Sequence, residues 1–304
     1  MMKSSRRRAK HNARNLTLPE LEQSKTSVLN ALGSLQSRPS NQHAMDDFIA
    51  WYCSEPRLAL NRVVVLRYRM HLESLHLAPG TINQRLAVVR RLAYEASDSG
   101  LLSPESVAGI RGVKGVKRLG QPVGNWLTTE EGQQLLAAVR TDTLRGKRDV
   151  AMLGLLLGCG PRRSEVANLE IEKIQQRDGH WTIVDLVGKA GHVRTVPMPL
   201  WVKSAIDRWS SAASVCEGRL FRAIRRNGAL WGRGVTQNVV WYVVKNCAMR
   251  AGIDKLAPHD LRRSCARMCH AAGGEIEQIQ FLLGHASVQT LSATLDAIRS
   301  WVRP

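Results

Sequence analysis

Pro258-His259-Asp260-Leu261-Arg262, followed by Leu283-Gly284-His285, is the stretch around which this 304-residue chain is organised. From His259 the apolar positions Leu261, Cys265, Met268, Cys269 and Ala272 recur at helical spacing, and Gly273-Gly274 stop the helix. Residues three apart share a helix face, so His259 and Arg262 are expected to point the same way. The start of a helix carries unpaired N–H groups and a partial positive charge, which favours a phosphate. An imidazole and a guanidinium placed there suit binding and acting on a phosphodiester. A lone His-x-x-Arg is common and carries no meaning on a solvated face. Its weight depends on what else the chain supplies.

The formal charge is +19, from 44 Lys and Arg against 25 Asp and Glu, spread along the whole length. Such an excess points to a polyanion, because each Lys or Arg docked on a phosphate releases a counterion. A membrane surface is the weaker alternative: no apolar run reaches the roughly 20 residues of a spanning helix, and the N-terminus lacks a signal-peptide core. The expected location is the bacterial cytoplasm, at the nucleoid. Aromatics make up 5% of the chain, which argues against single-strand binding by stacked bases. The six cysteines (Cys53, Cys159, Cys216, Cys247, Cys265 and Cys269) are scattered, mostly at apolar positions, as reduced core cysteines are. Cys265, Cys269 and His270 have no matching second pair, so no metal and no cofactor is expected.

The length fits two domains. Residues 1–20 form a basic arm around Arg6-Arg7-Arg8, either ordered by DNA or simply solvated. Residues 21–117 contain a helical bundle, with helices at about 44–53 and 58–77, a break at Pro79-Gly80, and a capping box Thr81-Ile82-Asn83-Gln84. The helix that follows buries Ile82, Leu86, Val89 and Ala93, and carries Arg85, Arg90 and Arg91 at polar positions. Those arginines either track a DNA backbone or keep the bundle soluble. Ser103-Pro104 starts a further helix. Residues 118–127 are linker. The second domain, 128–304, opens on the capping box Thr128-Thr129-Glu130-Glu131 and continues with a buried helix from Arg148 to Leu157. A hairpin of Trp181–Val187 and His192–Met198 follows, turning at Gly188-Lys189-Ala190-Gly191. Helices return at about 202–213, 236–251, 260–272 and 275–283. The class is mainly α with a small β-sheet (α+β).

Gly160-Pro161-Arg162-Arg163-Ser164-Glu165-Val166-Ala167-Asn168-Leu169 settles which protein family this order of elements resembles. Together with Gly188-Lys189, Pro258-His259-Asp260-Leu261-Arg262 and Leu283-Gly284-His285, it closely resembles the catalytic domain of the tyrosine recombinases, the phage integrase family. The match in order and spacing runs from about 128 to 289, and the bundle at about 44–116 more loosely resembles the family's core-binding (SAM-like) domain. The resemblance implies a C-shaped clamp on double-stranded DNA, action as a dimer or tetramer on that DNA, and possible help from host DNA-bending proteins. It implies that Arg162 and Arg262 fork onto the scissile phosphate. Lys189 would protonate the leaving 5′ oxygen, His259 would assist proton transfer, and His285 would hold another phosphate oxygen. Glu165 would brace the arginine, with Arg163 and Arg263 at the surface or in packing. A type IB topoisomerase shares the chemistry, but the separate small helical domain favours a recombinase.

The family's nucleophile is a tyrosine nine residues beyond the Gly-His histidine, and here that position is Thr294. The four tyrosines, Tyr52, Tyr68, Tyr94 and Tyr242, all precede His259. Tyr242, in an apolar helix, is expected in the core. A threonine hydroxyl is shorter and far more basic than a phenol of pKa about 10, so normal cleavage is not expected. The family often reads Thr-Glu-Arg-Tyr-Leu-Gly at this place. Leu291-Ser292-Ala293-Thr294-Leu295-Asp296 can be encoded by CTG AGC GCT ACC TTG GAT, which one nucleotide earlier reads ACT GAG CGC TAC CTT GGA, Thr-Glu-Arg-Tyr-Leu-Gly. A frameshift near Thr290, altering the tail from about 290, explains this; drift after loss of selection is the alternative. Two functions follow: a site-specific recombinase by family, disarmed in this chain, or a non-catalytic DNA-binding protein that occupies recombination sites.

Overall fold

The structure is a computed structural model that describes residues 15–33, 37–54, 58–117, 125–188 and 191–284. The arm up to residue 14, Lys189, His285, Thr294 and the altered tail therefore lie outside the described residues. The chain divides into two compact units, one ending at Gln121 and the other starting at Pro122.

Among the described residues the first unit holds five helices: α1 (Leu18–Ala31), α2 (Arg38–Ser54), α3 (Arg62–Ser74), α4 (Pro79–Asp98) and α5 (Pro104–Arg111). Helix α1 begins inside the stretch expected to be an unstructured arm. The reason is local: the Glu20 carboxylate accepts from the Thr17 N–H at 2.7 Å and from its hydroxyl at 2.9 Å, and Pro19 occupies the first turn. Leu16 and Leu21 are then fully buried. Helix α2 is longer than its apolar segment implies. Helix α3 starts at Arg62 rather than 58, because the Asn61 side chain caps Val63 N at 2.9 Å and Val64 N at 3.2 Å. Helix α4 starts at Pro79, two residues before the expected box, since proline's fixed φ suits a first helical position. Its expected stripe of Ile82, Leu86, Val89 and Ala93 is buried, joined by Val88, Leu92 and Ala96. Phe48 of α2 meets Tyr68 of α3 edge-on at 4.9 Å between ring centres.

The second unit has a separate core built on α7 (Leu144–Gly158), which buries residues all round. Before it comes α6 (Thr129–Ala137), whose capping box pairs Thr128 N with Glu131 at 2.8 Å and Glu131 N with Thr128 Oγ1 at 3.2 Å. Next are α8 (Arg163–Asn168) and an antiparallel sheet in the order β1 (Ile174–Arg177), β2 (His180–Val187), β3 (Val193–Pro197). The expected hairpin is thus a three-stranded sheet. Strand β1 escapes an apolar pattern because Gln175, Gln176 and Arg177 are polar. Asp178 and Gly179, both at positive φ, nonetheless turn it onto β2. Helix α9 (Leu200–Ala212) packs on α7, a short hairpin of β4 (Ala223–Ile224) and β5 (Leu230–Trp231) follows, and α10 (Gln237–Arg250), α11 (Pro258–Ala271) and α12 (Ile276–Leu283) complete the unit. Tyr242 is not core: the buried side of α10 is Val240, Val243, Val244, Cys247 and Ala248, which leaves Tyr242 59% exposed, edge-on to Trp241. All six cysteines are free thiols, with Cys159, Cys247 and Cys265 buried and Cys216 exposed. Among the described residues no helix is long and apolar enough to cross a membrane.

Candidate active site

Three arginines and one glutamate, from α8 and its N-cap, β3 and α11 of the second unit, meet at the C-terminal end of α12. After α7 the chain turns at Gly160, φ +61°, and Arg162 becomes the residue that precedes α8. Three residues on, Glu165 reaches back: its carboxylate accepts from Arg162 N at 2.7 Å and from Arg162 Nη1 at 2.9 Å. The same carboxylate accepts from both terminal nitrogens of Arg194, on β3, at 3.1 and 2.8 Å. Arg262, one turn into α11, is 2% exposed and donates to Gly160 O at 2.5 Å and to Leu283 O. Arg194 Nε donates to Leu282 O and Arg162 Nη2 to Gly284 O, each at 2.9 Å. The last carbonyls of a helix lack intrahelical partners and carry its negative pole, so three successive ones recruit three guanidinium groups.

Glycine is what lets the cluster close. At Gly284, which ends α12 in the left-handed conformation, a Cβ would sit 3.0 Å from Arg194 Cδ. At Gly188 it would lie 3.1 to 3.3 Å from Arg194, Arg162 and Glu165 together. At Gly160 it would lie 2.7 Å from Leu283.

The local charge does not cancel. Three guanidinium groups share one carboxylate, and burial together with the neighbouring Arg162 and Arg194 pushes the pKa of Arg262 down to about 9, although Glu165 offsets part of this. Burial alone would raise the Glu165 pKa, but hydrogen bonds from Arg194 and Arg162 outweigh it and hold the carboxyl below its ordinary value. The surplus faces an open cleft of about 470 Å³ lined by Arg162, Ser164, His259, Arg262, Gln237 and Trp241, among others. His259 stands at the cleft mouth, exposed, while Arg262 runs inward, so the shared face expected of them is the cleft wall seen at two depths. Partial desolvation of the imidazole, then the charges of Arg263 and Arg262, hold the His259 pKa below the usual histidine value. A surplus of buried cations beside an imidazole that is neutral at pH 7 is a site for an oxyanion with a proton-transfer group at its edge. Among the described residues no group of three His, Cys, Asp or Glu is placed to hold a metal ion.

The chain matches the phage integrase family over residues 125–294, more than half of its length. It belongs to the phage integrase family. Tyrosine recombinase XerD of Pseudomonas putida is 32% identical over 180 residues, which is 57% of this chain and 57% of that protein. Tyrosine recombinase XerC of Stutzerimonas stutzeri is 27% identical over 267 residues, covering 84% and 85%. The fold of this phage integrase family member is also that of two solved structures. A lambda integrase dimer bound to a COC′ core site matches with a TM-score of 0.72 at 14% identity, over 96% of this chain and 81% of that one. The XerH site-specific recombinase in a post-cleavage complex with palindromic difH matches with 0.71 at 19%, over 91% and 80%.

Of the residues expected at the site, Arg162, His259 and Arg262 come together, with Glu165 bracing Arg162 as expected. Lys189 and His285 lie outside the described residues, although their neighbours Gly188 and Gly284 both touch the cluster. Arg263 pairs with Asp260 at 3.1 Å. Arg85, Arg90 and Arg91 belong to the first unit. There Arg85 pairs with Asp47 at 2.7 Å and Arg90 donates to Val113 O at 2.5 Å, while Arg91 is exposed. Two of the three thus serve the bundle itself. Sequence reading missed Arg194, Gln237 and Trp241. The signal for Arg194 was its place on the inward face of a strand that alternates exposed and buried residues.

Proposed function

We propose that this chain descends from enzymes that break and rejoin DNA at specific sites, and that its phosphate pocket is assembled while its nucleophile is lost. The observation that carries this is the meeting of Arg162, Arg194 and Arg262 at the end of α12, the first two held by the Glu165 carboxylate and the third by backbone carbonyls, beside a cleft edged by His259. Each terminal nitrogen of Arg262 keeps a second N–H beyond the one given to a backbone carbonyl, so the fork can still donate to the non-bridging oxygens of a phosphodiester. Arg162 and Arg262 bind that phosphate and offset the charge that grows in the transition state, which leaves no task that demands a metal ion. Arg194 and Arg162 together neutralise Glu165, and Arg162, held by Glu165 and Gly284 O, keeps a second N–H on each terminal nitrogen for the cleft. His259 assists proton transfer, Lys189 serves as acid toward the leaving 5′ oxygen, and His285 holds a further phosphate oxygen.

The partner is double-stranded DNA, bound by a core-binding unit and a catalytic unit, with protomers paired or in fours and host bending proteins as helpers. The +19 charge supports this, as do the DNA complexes of lambda integrase and XerH that share the fold. Thr294 stands where the attacking tyrosine belongs, and Tyr52 and Tyr68 are buried far from solvent. A frameshift near Thr290 accounts for the tail. The second reading, a non-catalytic protein that occupies recombination sites, is favoured by the same substitution. The coding sequence through codon 290 and past the stop separates them. A shifted open frame reading Thr-Glu-Arg-Tyr-Leu-Gly makes this a disarmed recombinase, whose restored frame regains cleavage. A closed frame, or one without the tyrosine, makes Thr294 a true divergence and puts the binding protein first.

A further inference from the structure

Cys159, Cys265 and Cys269 gather beside Arg262. Cys159 ends α7 and Cys265 lies three residues beyond Arg262 on α11, both of them buried, while Cys269 follows one turn later and is half-buried. At spacings of three and then four, Arg262, Cys265 and Cys269 share one face of the helix. The two helical thiols are in contact, with Cys265 donating a hydrogen bond to the Cys269 sulfur. Both are also tied to the groups that hold Arg262. Gly160, whose carbonyl accepts from Arg262, is packed so closely that a Cβ there would lie 3.2 Å from Cys265 Sγ and 2.7 Å from Leu283. Leu283, whose carbonyl takes the other Arg262 nitrogen, shares an apolar cluster with Ala266 and Cys269.

The three thiols differ in reactivity. Burial pushes Cys159 up to about 12, so it stays a protonated, inert thiol. The hydrogen bond from Cys265, opposed by burial, holds Cys269 below the ordinary thiol value; donating that bond, together with burial, holds Cys265 above it. Cys269 therefore carries the larger share of thiolate at neutral pH, and of the three it is the one that solvent reaches. A partly exposed thiolate in contact with a second thiol suits a peroxide-sensitive cysteine and its resolving partner.

We propose that Cys269 is a site of reversible oxidation by hydrogen peroxide, and that Cys265 resolves it into a disulfide that unseats Arg262. The Cys269 sulfur attacks one peroxide oxygen; the O–O bond breaks, the sulfur is oxidised to a sulfenic acid, and the other oxygen leaves as hydroxide. The Cys265 sulfur then attacks Cys269. An S–S bond forms, the S–O bond breaks, and the Cys265 proton leaves with the hydroxyl as water. Cβ atoms one turn apart on a helix stand about 5–6 Å from each other, whereas a disulfide needs about 3.5–4.5 Å. Closing that gap distorts the turn and draws Cys265 off Gly160, so the Gly160 and Leu283 carbonyls lose their alignment with Arg262. A bond strained in this way is readily reduced, which makes the change reversible. The effect on phosphate rests on the cleft being a phosphate site; the disulfide itself does not.

The test treats the full chain with hydrogen peroxide, blocks the remaining thiols by alkylation, and reads tryptic peptides by mass spectrometry. Trypsin cuts after Arg267, between the two cysteines, so the disulfide shows as Ser264–Arg267 joined to the peptide that begins at Met268. The expected result is that pair, formed before the exposed Cys216 is consumed. With it goes more than half of the rise in Tm that inorganic phosphate gives the reduced chain, and dithiothreitol restores that rise. Cys269→Ser forms no pair and keeps its phosphate-dependent rise in peroxide, and its Tm without phosphate confirms that it folds. Oxidation of Cys216 while Cys265 and Cys269 remain open to alkylation overturns the proposal, as does a disulfide joining Cys159 to Cys265. A Cys265–Cys269 disulfide that leaves the phosphate-dependent rise unchanged overturns its link to Arg262. A reduced chain with no such rise overturns the cleft reading, while the joined peptides still decide the thiol chemistry.

Discussion

Glu165 is the residue on which the site turns, since it alone among the cluster's side chains offsets Arg162, Arg194 and Arg262. Glu165→Ala leaves those cations uncompensated in a buried setting, and the expected cost is about 3–5 kcal/mol in urea unfolding. A loss within the scatter of a surface substitution would show that water already screens the cluster. The carboxyl is held below its ordinary value of about 4.3, so the folded chain binds fewer protons than the unfolded one in that range. Its contribution is complete above that value and disappears as pH falls toward the depressed pKa, and Glu165→Gln flattens this acid limb. The cation surplus makes a reciprocal prediction. Inorganic phosphate at ten times its dissociation constant stabilises the chain by about 1.4 kcal/mol, a rise of a few degrees in Tm beyond what Arg262→Gln shows in the same buffer. At this scale Arg162, His259 and Arg262 were legible because their spacings are family motifs. Arg194 was not, because one arginine in a short strand reads as surface until the sheet's facing is known.

Among the elements, the helices were legible from apolar spacing and their ends from caps, as at Ser103 and Thr128. The errors came where a short-range signal overrode the apolar pattern: the Thr17–Glu20 box starting α1, Asn61 delaying α3, and Asp178-Gly179 folding the polar β1 onto β2. The close approach of backbone to guanidinium at Gly188 and Gly284 also has no sequence signature beyond the glycine itself. It does have a consequence. Gly284→Ala places a side chain in a left-handed position against Arg194, and about 1–2 kcal/mol of stability is expected to be lost. Because Arg194 must shift, the variant also loses part of the phosphate-dependent rise in Tm. A variant that loses stability but keeps that rise in full would separate the α12 cap from the anion site.

For the whole molecule, each unit has its own apolar core, and no residue is shared between the cores of the described residues. A fragment ending at Gln121 is therefore expected to be helical and to unfold cooperatively on its own; a fragment without a cooperative transition would show that its core depends on the second unit. The broad assignment, a helical unit followed by an α+β unit, was legible from the order of elements and motifs. The fate of the nucleophile is a matter of chemistry that fold does not decide. The most direct measurement takes duplexes selected by this chain from a random library, nicks them, and looks for protein–DNA adducts that survive denaturation. The proposed function predicts salt-sensitive binding with no adduct, with the phosphate held in the pocket and left unattacked by Thr294. An adduct at normal recombinase yield, mapped to any residue of this chain, would contradict it.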